Sequence, residues 1–164
     1  IKHRKTILLF RMITLQRTDS KNEDFKALVK QLDAELSIRD GDDHSFYDQF
    51  NKIDSIKHVV VAYENNLPLG CGAIKQFEPK AMEVKRMFVP LNQRGKGIAG
   101  QILKELETWA TELGNTKCIL ETGIKQPEAI SLYKKSGYRF SENYGQYAGV
   151  ENSICFEKLL NKSK

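Results

Sequence analysis

Three glycines at positions 95, 97 and 100, flanked by Arg94 and Lys96, are the residues most able to do chemistry. Glycines entering a helix let a ligand come close to the backbone, and the free N–H groups of the first turn, with the helix dipole, attract a phosphate. Glu121 follows some twenty positions later at the end of an apolar run, which completes the G-x-G-x-x-G and acid fingerprint of a dinucleotide-binding βαβ unit. Its context argues against that reading. Pro90 to Arg94 separate the preceding strand-like run from the first glycine, and the 43 residues after Glu121 are too few for the further βα repeats a dinucleotide site needs. A Walker-type loop fails too, because Gln101 follows Gly100 where a phosphate-binding lysine belongs. What remains is an anion-cradling loop for a pyrophosphate or similar group, or else a tight surface turn that caps a helix.

Other residue types narrow the function by exclusion. Cys71, Cys118 and Cys155 are odd in number, far apart and set in apolar segments, so they read as reduced core thiols of a cytoplasmic protein. His3, His44 and His58 share no helix-face spacing, and no metal is expected. The 26 basic and 21 acidic residues leave a charge of +5, which suits an anionic ligand but is too diffuse to indicate nucleic acid. The opening IKHRKTILLFR has an apolar core of only Ile7 to Phe10. A secretory signal needs roughly 7 to 15 apolar residues and a membrane span about 20, so no membrane association is expected. Residues 1–11 read as an extension, upstream or introduced, and 12–164 as one domain.

The elements that must position the loop follow from periodicity. Residues 12–17 alternate as a strand, and Ser20 or Asn22 caps a helix whose stripe is Phe25, Leu28, Val29, Leu32 and Leu36. Residues 39–54 are polar with interleaved aromatics, a loop and short second helix. Residues 59–63 and 69–77 form a hairpin around Glu64-Asn65-Asn66, and 82–89 form a third run. Behind the glycines comes a helix with Ile98, Ile102, Leu103, Leu106, Trp109, Ala110 and Leu113 on one face, ended by Gly114-Asn115. A short strand at 118–121, a helix opened by Pro127 and Glu128 and closed by Lys134-Lys135, and strands at 138–140 and 153–156 complete the chain.

Arg94-Gly95-Lys96-Gly97-Ile98-Ala99 resembles the R/Q-x-x-G-x-G/A signature of the GNAT acyltransferase superfamily. EVKRMFV is similar to that family's fourth strand, ILET to its fifth, and QPEAISLYKKSGYRF to its last helix and following strand. The resemblance spans residues 12–160 in element order and is sharpest over 83–140. It implies an α/β fold with a central mixed, mostly antiparallel sheet of about seven strands, splayed between strands 4 and 5 and flanked by about four helices. It also implies an acetyl-coenzyme A-dependent N-acetyltransferase, monomer or homodimer, acting directly on an amine of a small molecule or peptide. Met87, Phe88, Val89, Arg94, Gly95, Lys96, Gly97, Ile98, Ala99 and Gly100 would hold the coenzyme. Tyr133 matches the tyrosine that faces the coenzyme sulfur, the candidate general acid. Glu83, eleven residues before Arg94, is either a general base or a solvent-facing strand residue paired with a lysine. Asp40, Asp42, Asp43, His44, Tyr47, Tyr144 and Tyr147 would form an acceptor wall or an exposed polar loop. A non-catalytic acyl-coenzyme A sensor would keep the glycine loop without needing Tyr133.

Overall fold

The computed structural model describes residues 12–43 and 56–161. Strands β1 (Thr14–Thr18), β2 (His58–Glu64), β3 (Leu67–Glu78), β4 (Ala81–Phe88), β5 (Lys117–Gly123), β6 (Arg139–Ser141) and β7 (Ser153–Leu159) form one sheet in the order β1-β2-β3-β4-β5-β7-β6. Every neighbouring pair is antiparallel except β4 with β5. Three α-helices lie among the described residues: α1 (Glu23–Asp40), α2 (Ile98–Glu112) and α3 (Pro127–Lys135). The second helix expected within 39–54 falls largely outside those residues, as do His44, Tyr47, the side chain of Asp43 and the 1–11 extension. No helix among the described residues is long and apolar enough to cross a membrane.

Local chemistry accounts for the elements. Of the two candidate caps for α1, Asn22 serves, since its Oδ1 accepts from the Phe25 N–H at 2.9 Å. Phe25, Leu28, Val29 and Leu32 then face Val59, Val61, Cys71, Ala73 and Phe88, each full burial contributing about 2 kcal/mol. On the other face, Ile98, Ile102, Leu103, Leu106 and Ala110 of α2 pack on Val60, Ala62, Leu69, Ile74 and Val84. β2 is therefore covered on both sides, which is why its sequence is a continuous apolar run. Asn65 and Asn66, at φ 50° and 64°, make the two-residue turn into β3.

Two irregularities of β4 set the shape of the space beside it. Its pairing with β5 stops after Ala81, Met82 and Glu83, which oppose Lys117, Cys118 and Ile119; beyond them the strands part. Further along, Cys71 opposes Phe88 while Ala73 opposes Lys85, so Gly72 faces two residues, Arg86 and Met87. This bulge puts Arg86 at φ 57°, a left-handed conformation that costs an L residue about 1 to 2 kcal/mol. The Arg86 guanidinium is tied to Asp33 on α1, and the Cys71 thiol donates to the Arg86 carbonyl at 3.5 Å. Met87 lies over Gly72, where any Cβ would collide with Met87 Sδ and Leu106 Cδ1.

Candidate active site

The parting of β4 and β5 opens two adjoining spaces. One is a cleft of about 480 Å³ whose lining includes Phe88, Val89, Arg94, Gly95, Gly97 and Ala99. The other is a cavity of about 110 Å³ whose lining includes Asp40, Glu83, Lys85, Glu121 and Tyr147. Leu32, Met87, Gln126, Ala129 and Tyr133 line both. Tyr133 thus stands at the passage from one to the other.

The glycine loop leaves bare backbone beside the cleft. Gly97 caps α2 with φ 78° and ψ 10°, and no side chain caps the helix, so its first amides keep the donor capacity every helix start leaves over. Gly95 also has φ 78°. A Cβ placed on Gly95, Gly97 or Gly100 would meet nothing within 4 Å, so the glycines leave open room for a ligand against the backbone. Ile98 is different: its side chain is buried in the core, and only its backbone can serve a ligand.

The fixed charges beside the loop are less free than the sequence suggests. Arg94 Nε donates to the Val89 carbonyl at 2.8 Å, and its Nη2 meets both Glu35 oxygens at 3.0 and 2.9 Å. Glu35 also accepts from Arg39 at 3.2 Å, and Arg39 pairs with Glu128 at the start of α3. This chain of ion pairs links the glycine loop to α1 and α3. Lys96 reaches the Gln93 side chain at 3.2 Å.

Two of the three carboxyls that line the cavity, Glu83 and Glu121, have different environments. Glu83 is buried, and its Oε2 accepts from the Tyr144 hydroxyl at 2.6 Å while its Oε1 faces Lys85 Nζ at 3.6 Å. The lysine-paired alternative for Glu83 is thus present in part, but on a buried residue facing a cavity. Tyr144 itself is held edge-on by Phe77 and Tyr147, with ring centres 5.0 and 5.7 Å away. Burial and the adjacent Glu83 push the Tyr144 phenol up, so it stays a donor.

Glu121 has a poorer environment. Burial lifts its carboxyl from 4.5 to about 7; a Ser153 hydrogen bond opposes this, Asp40 and Glu83 add to it, and Lys85 opposes it. Nothing among the described residues hydrogen-bonds Glu121 Oε1. The sequence marked Glu121 only as part of a rejected dinucleotide fingerprint. Alternation along β5 could have placed it, since Cys118 and Leu120 enter the α2-side core and Glu121 must face the other way.

Tyr133 is buried on α3, and desolvation followed by the Glu121 charge raises its phenol above the ordinary 10. It therefore carries its proton at neutral pH. The three cysteines are buried and free; burial pushes Cys71 and Cys118 up to about 12 and Cys155 to about 11. Asp40 and Tyr147, two of the expected wall residues, do line the cavity, and Tyr144 reaches it through Glu83.

Comparison with known proteins agrees with this architecture. The model of the acetyltransferase (GNAT) family matches residues 25–138. The chain is 30% identical over 150 residues to an IAA acetyltransferase of Azospirillum brasilense, covering 90% of this chain and 98% of that protein. A Klebsiella pneumoniae structure provisionally described as an acyl-CoA N-acyltransferase shares the fold with TM-score 0.77 and 27% identity, covering 92% of this chain and 99% of that one. A GNAT family acetyltransferase from Elizabethkingia anophelis with acetyl-CoA bound aligns at TM-score 0.66 and 21% identity, covering 90% and 98%. With the family match spanning the glycine loop, the β4–β5 splay and α3, the chain belongs to the GNAT family and is an acetyl-CoA-dependent acetyltransferase.

Proposed function

We propose that the chain moves the acetyl group of acetyl-coenzyme A directly onto a primary amine of a small molecule or peptide, within a ternary complex and without a covalent enzyme intermediate. The observation that carries this reading is Tyr133, shared by the lining of the cleft and of the carboxyl-bearing cavity. Diphosphate would lie against the amides of 97–100, with Arg94 and Lys96 beside it. The β5-facing edge of β4 has no strand partner after Glu83, so Met87, Phe88 and Val89 can offer N–H and C=O groups to the pantetheine arm.

Chemistry then divides between two carboxyls and a phenol. An alkylammonium ordinarily titrates near 10, so a proton must leave before attack. Glu83, held by Tyr144 and Lys85, suits the ammonium as an anchor; Glu121, with an unpartnered oxygen and a titration near neutrality, suits the proton as its acceptor. The amine lone pair forms the new N–C bond at the thioester carbonyl, and an N–H of β4 near Phe88 stabilises the oxyanion. The C–S bond breaks as the Tyr133 hydroxyl gives its proton to the departing sulfur, and the second proton leaves the nitrogen as the amide forms and restores the phenol. Burial raises phenol and thiolate alike, which keeps the transfer between them feasible.

Thiol release measured against pH tests the assignment. The acid limb of kcat/KM, centred near 7, should vanish in Glu121→Gln and persist in Glu83→Gln, whose loss should fall mainly on KM. The reverse pattern returns the base role to Glu83. Three buried thiols suit a reducing compartment, and we place the enzyme in the cytoplasm on that ground.

A further inference from the structure

Strand β4 changes phase near its end. Met82 and Val84 point into the core under α2, while Glu83 and Lys85 leave on the α1 side, with Lys85 Nζ 3.6 Å from Glu83. Regular alternation would send Arg86 and Phe88 under α2 as well. Instead Arg86 turns to Asp33 on α1, Phe88 joins the core under α1, and Met87 and Val89 pack under α2. The switch falls where Arg86 and Met87 together oppose Gly72.

The backbone switches with the side chains. Beside an antiparallel partner, the amides of a strand alternate between facing that partner and facing away, so one inserted residue reverses every N–H after it. β4 has β5 beside it only as far as Glu83, and Met87, Phe88 and Val89 line the open cleft beyond. Which of their amides look into that cleft is therefore decided at Arg86.

This arrangement is not one that stability alone would choose. Arg86 sits at φ 57°, where its Cβ is crowded, and its guanidinium side chain is only 2% exposed. Among the described residues nothing hydrogen-bonds its Nε. Unfavourable features of this kind persist where the surroundings impose them, and they gather at functional sites. Here they are imposed from two sides: Asp33 binds the guanidinium, and the Cys71 thiol on β3 donates to the Arg86 carbonyl at 3.5 Å. Asp33 adjoins Leu32, a residue of the cleft wall, so the ion pair fastens that wall to the strand whose amides face it.

Resting on the transferase reading, we propose that Asp33 and Arg86 are positioning residues for acyl transfer. Their ion pair keeps Arg86 left-handed, and the left-handed turn aims the β4 amide near Phe88 at the thioester oxygen. Both act through the backbone.

Thiol release from acetyl-coenzyme A is measured over a panel of alkylamines, amino acids and short peptides, below the thermal unfolding midpoint of every variant. Asp33→Ala strands the buried guanidinium and should lower kcat by about 10- to 100-fold, with the KM for acetyl-coenzyme A within about threefold, because an oxyanion donor acts in the transition state. Adding Arg86→Gly removes the stranded charge and supplies a residue at ease in the left-handed region, so kcat should return to within about threefold of wild type. Adding Arg86→Ala instead removes the same charge but keeps a Cβ, and kcat should stay low. Wild-type kcat in Asp33→Ala, or equal kcat in the glycine and alanine double variants, overturns the positioning role and leaves the transferase reading standing. An ion pair that merely glued α1 to β4 would give that equality, since both double variants lack it. A wild-type protein that releases no thiol with any amine overturns both.

Discussion

Replacing Glu121 by glutamine should stabilise the fold at alkaline pH and, on the proposed mechanism, remove the base. The carboxyl is raised from 4.5 to about 7, first by burial and then by Asp40 and Glu83, against Ser153 and Lys85. Between those two values the folded chain holds a proton that the unfolded chain has released. Stability therefore falls as pH rises from about 4.5 to about 7, and the full penalty remains above that. At about 1.4 kcal/mol for each pH unit separating the two values, ionised Glu121 costs the native state about 3.5 kcal/mol; relaxation of the partly buried site reduces this to about 2 to 3. Glutamine keeps the shape and cannot ionise. In urea titrations the wild type should lose about 2 to 3 kcal/mol relative to Glu121→Gln between pH 4 and pH 8, a relative midpoint shift of about 1 to 2 M. Other groups titrate in both proteins and cancel in the difference. An offset between the two proteins that is the same at pH 4 and pH 8 would refute the argument that burial holds this carboxyl against ionisation.

Tyr133→Phe should lower kcat by about 10² to 10⁴ with coenzyme affinity retained in calorimetric titration, since only the proton donor is removed. Glu35→Gln weakens the hold on Arg94, leaving the Val89 carbonyl bond, and should tighten coenzyme binding by up to about tenfold; weaker binding would mean that Glu35 positions the guanidinium rather than competes for it. Gly72→Ala forces a methyl against Met87 and Leu106 and should cost about 1 to 3 kcal/mol in thermal unfolding, with coenzyme affinity reduced because Met87 lines the cleft.

Much of the frame was legible in the chain because it rests on local rules. Phe25, Leu28, Val29 and Leu32 announce α1 by spacing, Asn65 and Asn66 announce the hairpin, and Pro127 and Glu128 announce α3, each through an interaction spanning a few residues. Glycines 95, 97 and 100 are legible for the same reason, since the entry to a helix and the room before it need no distant partner. Glu83 and Tyr133 were picked out by resemblance, and the structure sets both on the walls of one cavity.

The rest depends on contacts between remote segments. Nothing near Arg94 in sequence says that Glu35, 59 positions away, will meet its guanidinium. The left-handed Arg86 arises from a register slip against β3, and its side chain is matched by Asp33 on a different element. Tyr144 finds Glu83 across 61 positions, and Glu121 acquires its raised titration from the packing around it. The sequence by itself determined which stretches become helix or strand and that a bare helix start follows β4, because hydrogen bonds and side-chain periodicity along the chain suffice for that. Only the tertiary structure decided which charges are spoken for and which carboxyl is pushed toward neutrality, because desolvation and Coulomb interaction act through space.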